Sequence, residues 1–204
     1  MMKFNSVAML VLSVFLMGLA GCASSTKVQR VETAKVIDLS GSWNDSDATM
    51  VSDDIVKDCL SARWIDNFIV DQKRNPVVIV GYVKNQTDEH INSAVYVKHL
   101  EQALVNSGRV KLVASSEERE QIRGERTDQN KGFSSPETVK KFGREKGADF
   151  MMIGRVNTVR DETKGQYVVL YQTNLELVNL ESNEKVWIGS KEIKKFVKVG
   201  KYSL

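Results

Sequence analysis

The sequence predicts a single α/β domain, in which helices pack on one mixed β-sheet that ends in an antiparallel hairpin. The apolar, largely β-branched run at residues 77–83 is typical of a strand buried on both faces. A helix-spaced segment and a second apolar segment follow this run, which indicates a crossover between two parallel strands. Near the C-terminus, two long apolar-polar segments flank a short polar turn at residues 179–183, and this pattern predicts the hairpin.

The residues before the first strand predict helical structure. Between residues 48 and 62, four apolar residues recur at helical spacing, namely Val51, Ile55, Cys59 and Leu60. The polar residues Asp45, Ser46 and Asp47 precede them and can cap this helix. The apolar residues of segment 64–69 predict a second short helix or a turn. Cys59 is expected to be a buried, small apolar residue; a thiol available for intermolecular pairing is the alternative.

The next helix and strand complete the predicted crossover. Asn92 and Ser93 can cap a helix, and Gly108 can end it. Its apolar stripe comprises Val97, Leu100 and Leu104. Residues 109–114 alternate in character and predict the second strand.

The second half of the chain predicts two more helices and three more strands. A polar helix is expected at 116–123, followed by a flexible charged segment at 124–134. The sequence Ser135-Pro136-Glu137 predicts the start of a further helix that ends at Gly147, because proline is favoured at the first helical position. Its inward residues would be Val139, Phe142 and Gly143. Strands are predicted at about 148–156, 166–178 and 184–197, the last one antiparallel to the one before it.

Composition and motif content exclude several classes of function. The chain has 29 basic and 26 acidic residues, and residues 1–21 contain only one of them, Lys3. Such a near-neutral, mixed surface gives no field for nucleic acid, so no nucleic-acid partner is expected. His90 and His99 lie nine residues apart without a cysteine partner, so neither a metal nor another cofactor is expected. No nucleophile, phosphate-loop or dinucleotide motif is present, and we expect no enzyme.

The N-terminus predicts a secretory signal and a lipid anchor. Lys3, the apolar run 7–16 and the small residues that follow are typical of a signal peptide at 1–21. The sequence Leu19-Ala20-Gly21-Cys22 resembles the bacterial lipobox, which implies cleavage between Gly21 and Cys22 and attachment of diacylglycerol to the Cys22 thiol. Ala23 favours sorting to the outer membrane, with the protein facing the periplasm. An ordinary secreted protein with a chance cysteine near its cleavage site is the alternative.

The signal would leave a short tether and one globular domain. Residues 22–37 are polar and predict the lipidated cysteine and its tether, and the domain is expected at 38–204. The sixteen residues from Ala23 to Asp38 span at most about 55 Å when fully extended. As a flexible coil they reach about 20 Å. Trp43 is out of place in a solvated, turn-rich segment, so it is expected to hold that segment on the domain.

Three stretches together carry a family resemblance: the lipobox, residues 38–47 (DLSGSWNDSD) and residues 146–154 (KGADFMMIG). With them, the chain resembles the penicillin-binding-protein activator lipoproteins of the LpoB type, whose domain is similar to the N-terminal domain of TolB. The resemblance covers about residues 38–193. It implies a non-enzymatic protein that hangs from the outer membrane and stimulates a bifunctional peptidoglycan synthase of the inner membrane. The best-known members have a long Pro-rich spacer, whereas the tether here is short and lacks proline.

The hairpin and its rim are the expected contact surface for that partner, because charge is dense there and an aromatic residue begins a strand. The residues expected to contribute are Arg155, Arg160, Lys164, Tyr167, Lys191 and Lys194. The alternative is that the hairpin lysines keep an exposed edge strand soluble, or that they meet an acidic partner or anionic lipid headgroups. A monomer is expected.

A second hypothesis is that the chain is a subunit of an envelope secretion or assembly complex, since TolB-like lipoprotein domains also resemble parts of secretion pores. A pore-forming chain should show long alternating strands flanked by aromatic residues. The sequence lacks such segments, which favours the synthase activator. A wall hydrolase is a third hypothesis, and it lacks a site.

Overall fold

The sheet of this computed structural model has five strands, which are Val77–Gln86 (β1), Lys111–Leu112 (β2), Phe150–Thr163 (β3), Gln166–Asn179 (β4) and Lys185–Lys198 (β5). Their order across the sheet is β2-β1-β3-β4-β5. The helices are Asp45–Ser61 (α1), Arg63–Gln72 (α2), Ser93–Asn106 (α3) and Ser116–Asp128 (α4), with a π-helical turn at Gln129–Phe133. The structure describes residues 28–32, 35–140 and 145–200, and residues 36–204 group as one unit. The predicted mixed α/β sheet with a terminal antiparallel hairpin is confirmed.

The first helix begins three residues earlier than predicted. Its N-cap is Asn44 and not one of the three residues after it, because the Asn44 side chain accepts the Asp47 amide while the Asp47 carboxylate accepts the Asn44 amide. This reciprocal capping box satisfies two amides that the helix itself leaves unpaired. Cys59 is completely buried, as predicted. Ala62 is extended and separates α1 from α2, which confirms a second short helix.

The crossover is parallel, as predicted, but its second strand is short. β1 pairs in parallel with β2 at only two positions and with β3 along most of its length. β2 ends at Leu112 because Ser115 already caps the next helix, where its hydroxyl accepts the Glu118 amide. Gly108 follows α3 with a φ of 66°, which is the left-handed conformation expected of a helix end.

Residues 124–147 depart most from the prediction. α4 continues to Asp128 instead of ending near residue 123, and a π-helical turn follows where a flexible segment was expected. No helix forms over residues 135–140 or 145–147; a single turn at 136–138 stands in its place. Phe142 and Gly143, which were expected to face inward, lie outside the described residues. Pro136 is favoured at a helix start, but residues 135–140 form only this turn, and Val139, the predicted inward residue that is described, is half-buried.

The three long strands form an antiparallel meander with a strict alternation of side chains. Leu175 and Leu177 are completely buried on the face covered by α1 and α3, while Asn174 and Glu176 lie on the opposite face. We call these the covered face and the open face. Turns with left-handed residues, Gly165 between β3 and β4 and Asn183 between β4 and β5, connect the strands.

The core lies between the covered face and the two long helices. Tyr96, Leu100 and Leu104 are buried on α3. The predicted stripe therefore missed Tyr96, and Val97 is only half-buried. Trp43 packs on this core with its ring centroid 5.5 Å from that of Tyr171. The prediction that Trp43 attaches the N-terminal segment to the domain is confirmed.

Candidate interaction surface

The six residues expected to contact a partner lie on both faces of the sheet. Side chains alternate along a strand, so Arg155 and Lys194 lie on the open face with Asn174 and Glu176. The other four comprise one residue in the β3–β4 turn, Lys164, and three on the covered side, Arg160, Tyr167 and Lys191. A single flat partner cannot touch all six at once.

The three residues on the covered side already have partners within the chain. The guanidinium of Arg160 lies 3.9 Å from the centroid of the Tyr167 ring and 2.8 Å from the Glu162 carboxylate. The Lys191 amine forms an ion pair with Asp54 of α1. These contacts give the three side chains a structural role, because Arg160 and Tyr167 join β3 to β4 and Lys191 joins β5 to α1.

The remaining three residues are available at the surface. Arg155, Lys164 and Lys194 are exposed and form no ion pair with any residue in the described part of the chain. Because no ion pair neutralises their charges, these three residues remain suited to contact an acidic partner.

An N-terminal segment, Asp38–Trp43, covers the hairpin on the covered side; we call it the strap. A Cβ atom on Gly41 would lie 2.6 Å from Tyr167 Oη and 2.6 Å from a Val197 methyl group, so glycine lets the strap approach β4 and β5 closely. The Tyr171 hydroxyl contacts the Gly41 carbonyl and the Glu89 carboxylate, and the other Glu89 oxygen accepts the Trp43 amide. The strap therefore lies against the hairpin.

Electrostatic contacts hold the strap in place. The Lys195 amine lies 2.6 Å from the Asp47 carboxylate, 2.9 Å from that of Asp38 and 3.0 Å from the Ser42 carbonyl oxygen. Burial would lower the pKa of Lys195, but its hydrogen bonds to Asp47 and Asp38 outweigh burial and raise it. The same bond from Lys195 lowers the pKa of Asp38. Burial, followed by the Glu89 contact, raises the pKa of Tyr171.

A groove runs along the edge of β1, between α3, the start of α4 and the open face. Its volume is about 840 Å³. Apolar side chains from three elements line it, including Ile79, Val97, Met151 and Ile153. Tyr82 stands at its wall with 76% of its surface exposed.

The exposure of Tyr82 corrects the prediction that the whole run 77–83 is buried. Pairing between β1 and β3 is irregular between Val80 and Val83, and this irregularity inserts Gly81 and Tyr82 opposite Ile153. Such a bulge turns one side chain out of the regular alternation. The glycine inside an apolar strand was the sequence signal for it.

Two kinds of feature, a metal site and a membrane-spanning helix, are absent from the described residues. They contain no group of three or more His, Cys, Asp or Glu side chains placed to hold a metal ion. Among the helices described, none has the length and hydropathy needed to cross a bilayer.

Comparison with known proteins identifies the family. Residues 47–193 match the sequence model of the family "Peptidoglycan-synthase activator LpoB". None of the curated proteins compared with the chain matches it. Solved structures that resemble it include the LpoB C-terminal domain from Escherichia coli, at 18% identity and a TM-score of 0.45, over 72% of this chain and 98% of that one.

Two further structures are similar at comparable levels. The LpoB C-terminal domain from Salmonella enterica has 17% identity and a TM-score of 0.41, over 72% of this chain and 98% of that one. The lipoprotein GNA1162 from Neisseria meningitidis has 13% identity and a TM-score of 0.39, over 59% of this chain and 83% of that one. The family's sequence model matches more than two thirds of the residues of this chain. The chain therefore belongs to the LpoB family of peptidoglycan-synthase activators.

Proposed function

We propose that this chain is a lipoprotein of the outer membrane that binds and stimulates a bifunctional peptidoglycan synthase, a penicillin-binding protein, without catalysing a reaction itself. The observation that carries the proposal is the family match over residues 47–193, which includes both long helices and most of the sheet. The signal peptide 1–21, lipidation of Cys22 and the tether 22–37 come from the sequence, and residues 1–27 lie outside the described part. The protein would face the periplasm as a monomer.

The hairpin supplies the contacts in this proposal. Arg155, Lys164 and Lys194 carry charges that no described residue neutralises, and they lie on the open face and at the turn. Hot-spot residues of an interface typically cost about 2 kcal/mol or more each when truncated. The remaining predicted residues Arg160, Tyr167 and Lys191 would contribute by holding the hairpin in shape.

The test is to add residues 23–204 to each candidate bifunctional synthase of the same organism and to follow glycan polymerisation. An activator that works by binding should give stimulation that saturates with its concentration. The double substitution Arg155→Glu and Lys194→Glu should weaken binding and stimulation together, whereas Lys57→Glu on exposed α1 surface should change neither. Sedimentation of the chain alone measures its oligomeric state.

Two results would reject the proposal. If no candidate synthase binds or changes its rate, the activator hypothesis fails, and the subunit of an envelope secretion or assembly complex becomes the better hypothesis. If the chain converts a cell-wall substrate in the absence of any synthase, it acts as an enzyme and not as a regulator.

A further inference from the structure

We propose that the open edge of β1 binds an extended segment of the partner synthase as an added strand, with a carboxylate of that segment facing Lys84 and Arg155. This inference rests on the proposed function. It specifies that the groove beside β1 binds its partner by strand addition and that the bound segment carries a carboxylate. Strand addition draws affinity from main-chain hydrogen bonds and specificity from pockets for alternate side chains.

The edge is open because β2 is short. The carbonyl oxygens of Pro76 and Val78 accept the amides of Lys111 and Val113, at 2.8 and 3.0 Å. Groups on one side of a strand repeat every two residues, so the Val80 carbonyl is the next to face this side. Beyond Val78, no residue in the described ranges pairs with this edge, although β1 continues to Gln86. The open stretch from Ile79 to Gln86 is about 23 Å long, at about 3.3 Å per residue.

The groove beside this edge is shaped for an extended chain. Ile79, Met151 and Ile153 present apolar side chains along one wall, and Ala94 and Val97 of α3 form another. The Lys98 amine spans the groove's far side, with 2.6 Å contacts to both Glu101 of α3 and Glu118 of α4. Apolar side chains at every second position of a bound segment would enter this space, because strand residues alternate.

Tyr82 provides an anchor at the groove. It is an exposed aromatic residue on a strand that is otherwise buried up to that point, and the bulge directs it to the surface. Tyrosine is enriched among interface hot spots, because it combines a large apolar ring with a polar tip. A purely structural strand would not require an aromatic residue at this exposed position.

The charges at the groove select an acidic ligand. Lys84 and Arg155 are register partners on adjacent strands, and neither forms an ion pair within the described residues. The acidic side chains of the groove nearest the helices are engaged elsewhere, because Glu101 and Glu118 share Lys98, and Glu176 contacts Lys185 at 2.8 Å.

Two further charges line the groove. The Arg119 guanidinium donates to the Ala114 carbonyl at 3.4 Å, and its charge also helps to lower the pKa of Glu145, whereas Glu117 is exposed. Lys84 and Arg155 are therefore the adjacent pair of groove cations without an ion pair among the described residues, and together they complement an Asp or Glu of a bound segment.

The experiment measures where the synthase binds on the full chain, purified from membranes in detergent. The dissociation constant for the purified synthase is determined for the wild type and for Tyr82→Ala and Lys84→Glu. Phe133→Ala and Lys57→Glu are matched controls, since both residues are exposed and neither lines the groove. Hydrogen exchange of residues 79–86 is followed with and without the synthase. Thermal melting confirms that the variants fold.

We expect each groove variant to weaken binding by about tenfold or more, and each control by less than about twofold. The amides of residues 79–86 should exchange more slowly when the synthase is present. If both groove variants bind normally, or if these amides gain no protection, the inference is overturned while the proposed function stands. If no synthase binds the wild type, both fail. Protection that appears without synthase and rises with protein concentration would identify a second copy as the occupant and would also overturn the inference.

Discussion

At the scale of single residues, Lys195 joins the strap to the sheet. Its side chain is 11% exposed and that of Asp47 is 5% exposed, so their ion pair lies in a largely water-excluded site. Removing one partner of such a pair leaves an uncompensated charge, which costs about 3–5 kcal/mol. The position differs from its neighbour Lys194, whose side chain lies on the open face without an ion pair among the described residues.

The substitution Lys195→Met should therefore lower the free energy of unfolding by about 3 kcal/mol, as measured by urea denaturation at pH 7. Lys194→Met is the control, and a surface change of this kind should fall within about 0.5 kcal/mol. Equal effects of the two substitutions would show that the strap adds no stability through Lys195.

Asp149 fixes the start of β1 to β3 through a second charged contact. Both of its oxygens lie 2.7 Å from the Arg74 guanidinium, and one accepts the Val77 amide at 2.8 Å. Burial would raise the pKa of Asp149, but the Arg74 bonds and the Val77 amide outweigh burial and lower it. A carboxyl group with a lowered pKa stabilises the fold above its unfolded value, about 3.9, and loses that contribution as pH falls through the folded value.

We expect Asp149→Asn to be about 1.5 kcal/mol less stable than the wild type at pH 7, the low end of the range for hydrogen bonds to charged groups, because the Arg74 side chain is partly exposed. The difference should shrink as pH falls below about 4, because the wild-type carboxyl then becomes protonated. Urea denaturation at a series of pH values measures it, with Asp88→Asn on exposed loop surface as the control. A difference that stays constant down to low pH would contradict the ionic origin.

At the scale of elements, close contact between β3 and β4 depends on Gly154. A Cβ atom at this position would lie 2.3 Å from the Asn174 carbonyl oxygen and 2.3 Å from a Leu175 methyl group. The carbonyl oxygen belongs to the neighbouring strand's backbone, which is held by pairing on both sides and cannot move aside.

Gly154→Ala should consequently destabilise the domain by about 2–3 kcal/mol, within the range for overpacked cores. Gly147→Ala is the matched control, since no heavy atom lies within 4 Å of the added methyl group and its φ is not positive. Thermal or urea unfolding of both variants provides the measurement. A fully stable Gly154→Ala variant would mean that β3 and β4 can separate slightly at little cost.

The same scale explains which elements could be predicted from sequence. The helices α1 to α3 and the alternating strands β4 and β5 depend on residues within one segment, and their predicted positions agree with the structure within a few residues, whereas α4 extends five residues beyond its predicted end. The predicted helix near Pro136 does not form in the described residues, because a helix start is stable only when packing supports it. The length of β2 likewise depended on where the following helix begins.

At the scale of the whole molecule, the proposed attachment to the membrane depends on Cys22. The proposed thioether requires a thiol, and a single acyl chain holds a protein only weakly while several hold it stably. Cys59 is the other cysteine of the chain, and it is buried with its pKa raised to about 12, chiefly by burial. It is therefore poorly suited to modification.

Cys22→Ser should abolish incorporation of labelled fatty acid and shift the protein from the membrane fraction to a soluble or unprocessed form. Cys59→Ala should keep the label, because the second cysteine is not the attachment site. Metabolic labelling followed by fractionation distinguishes these outcomes. Label that persists in Cys22→Ser would contradict the lipoprotein proposal.

The sequence by itself determined the order of the strands and of the first four helices, the burial of Cys59 and the attachment of Trp43, because periodicity and residue character are local properties of the chain. The separation of Arg155 from Arg160 onto opposite faces was not predicted, because the predicted third strand ended near residue 156 whereas β3 continues to Thr163. Only the tertiary structure decided that Tyr82 is exposed and that β1 has an open edge. The open edge depends on where β2 ends, and no residue within β1 determines that. The exposure of Tyr82 depends on the bulge in the pairing with β3, which Gly81 permits but which only the paired strand places.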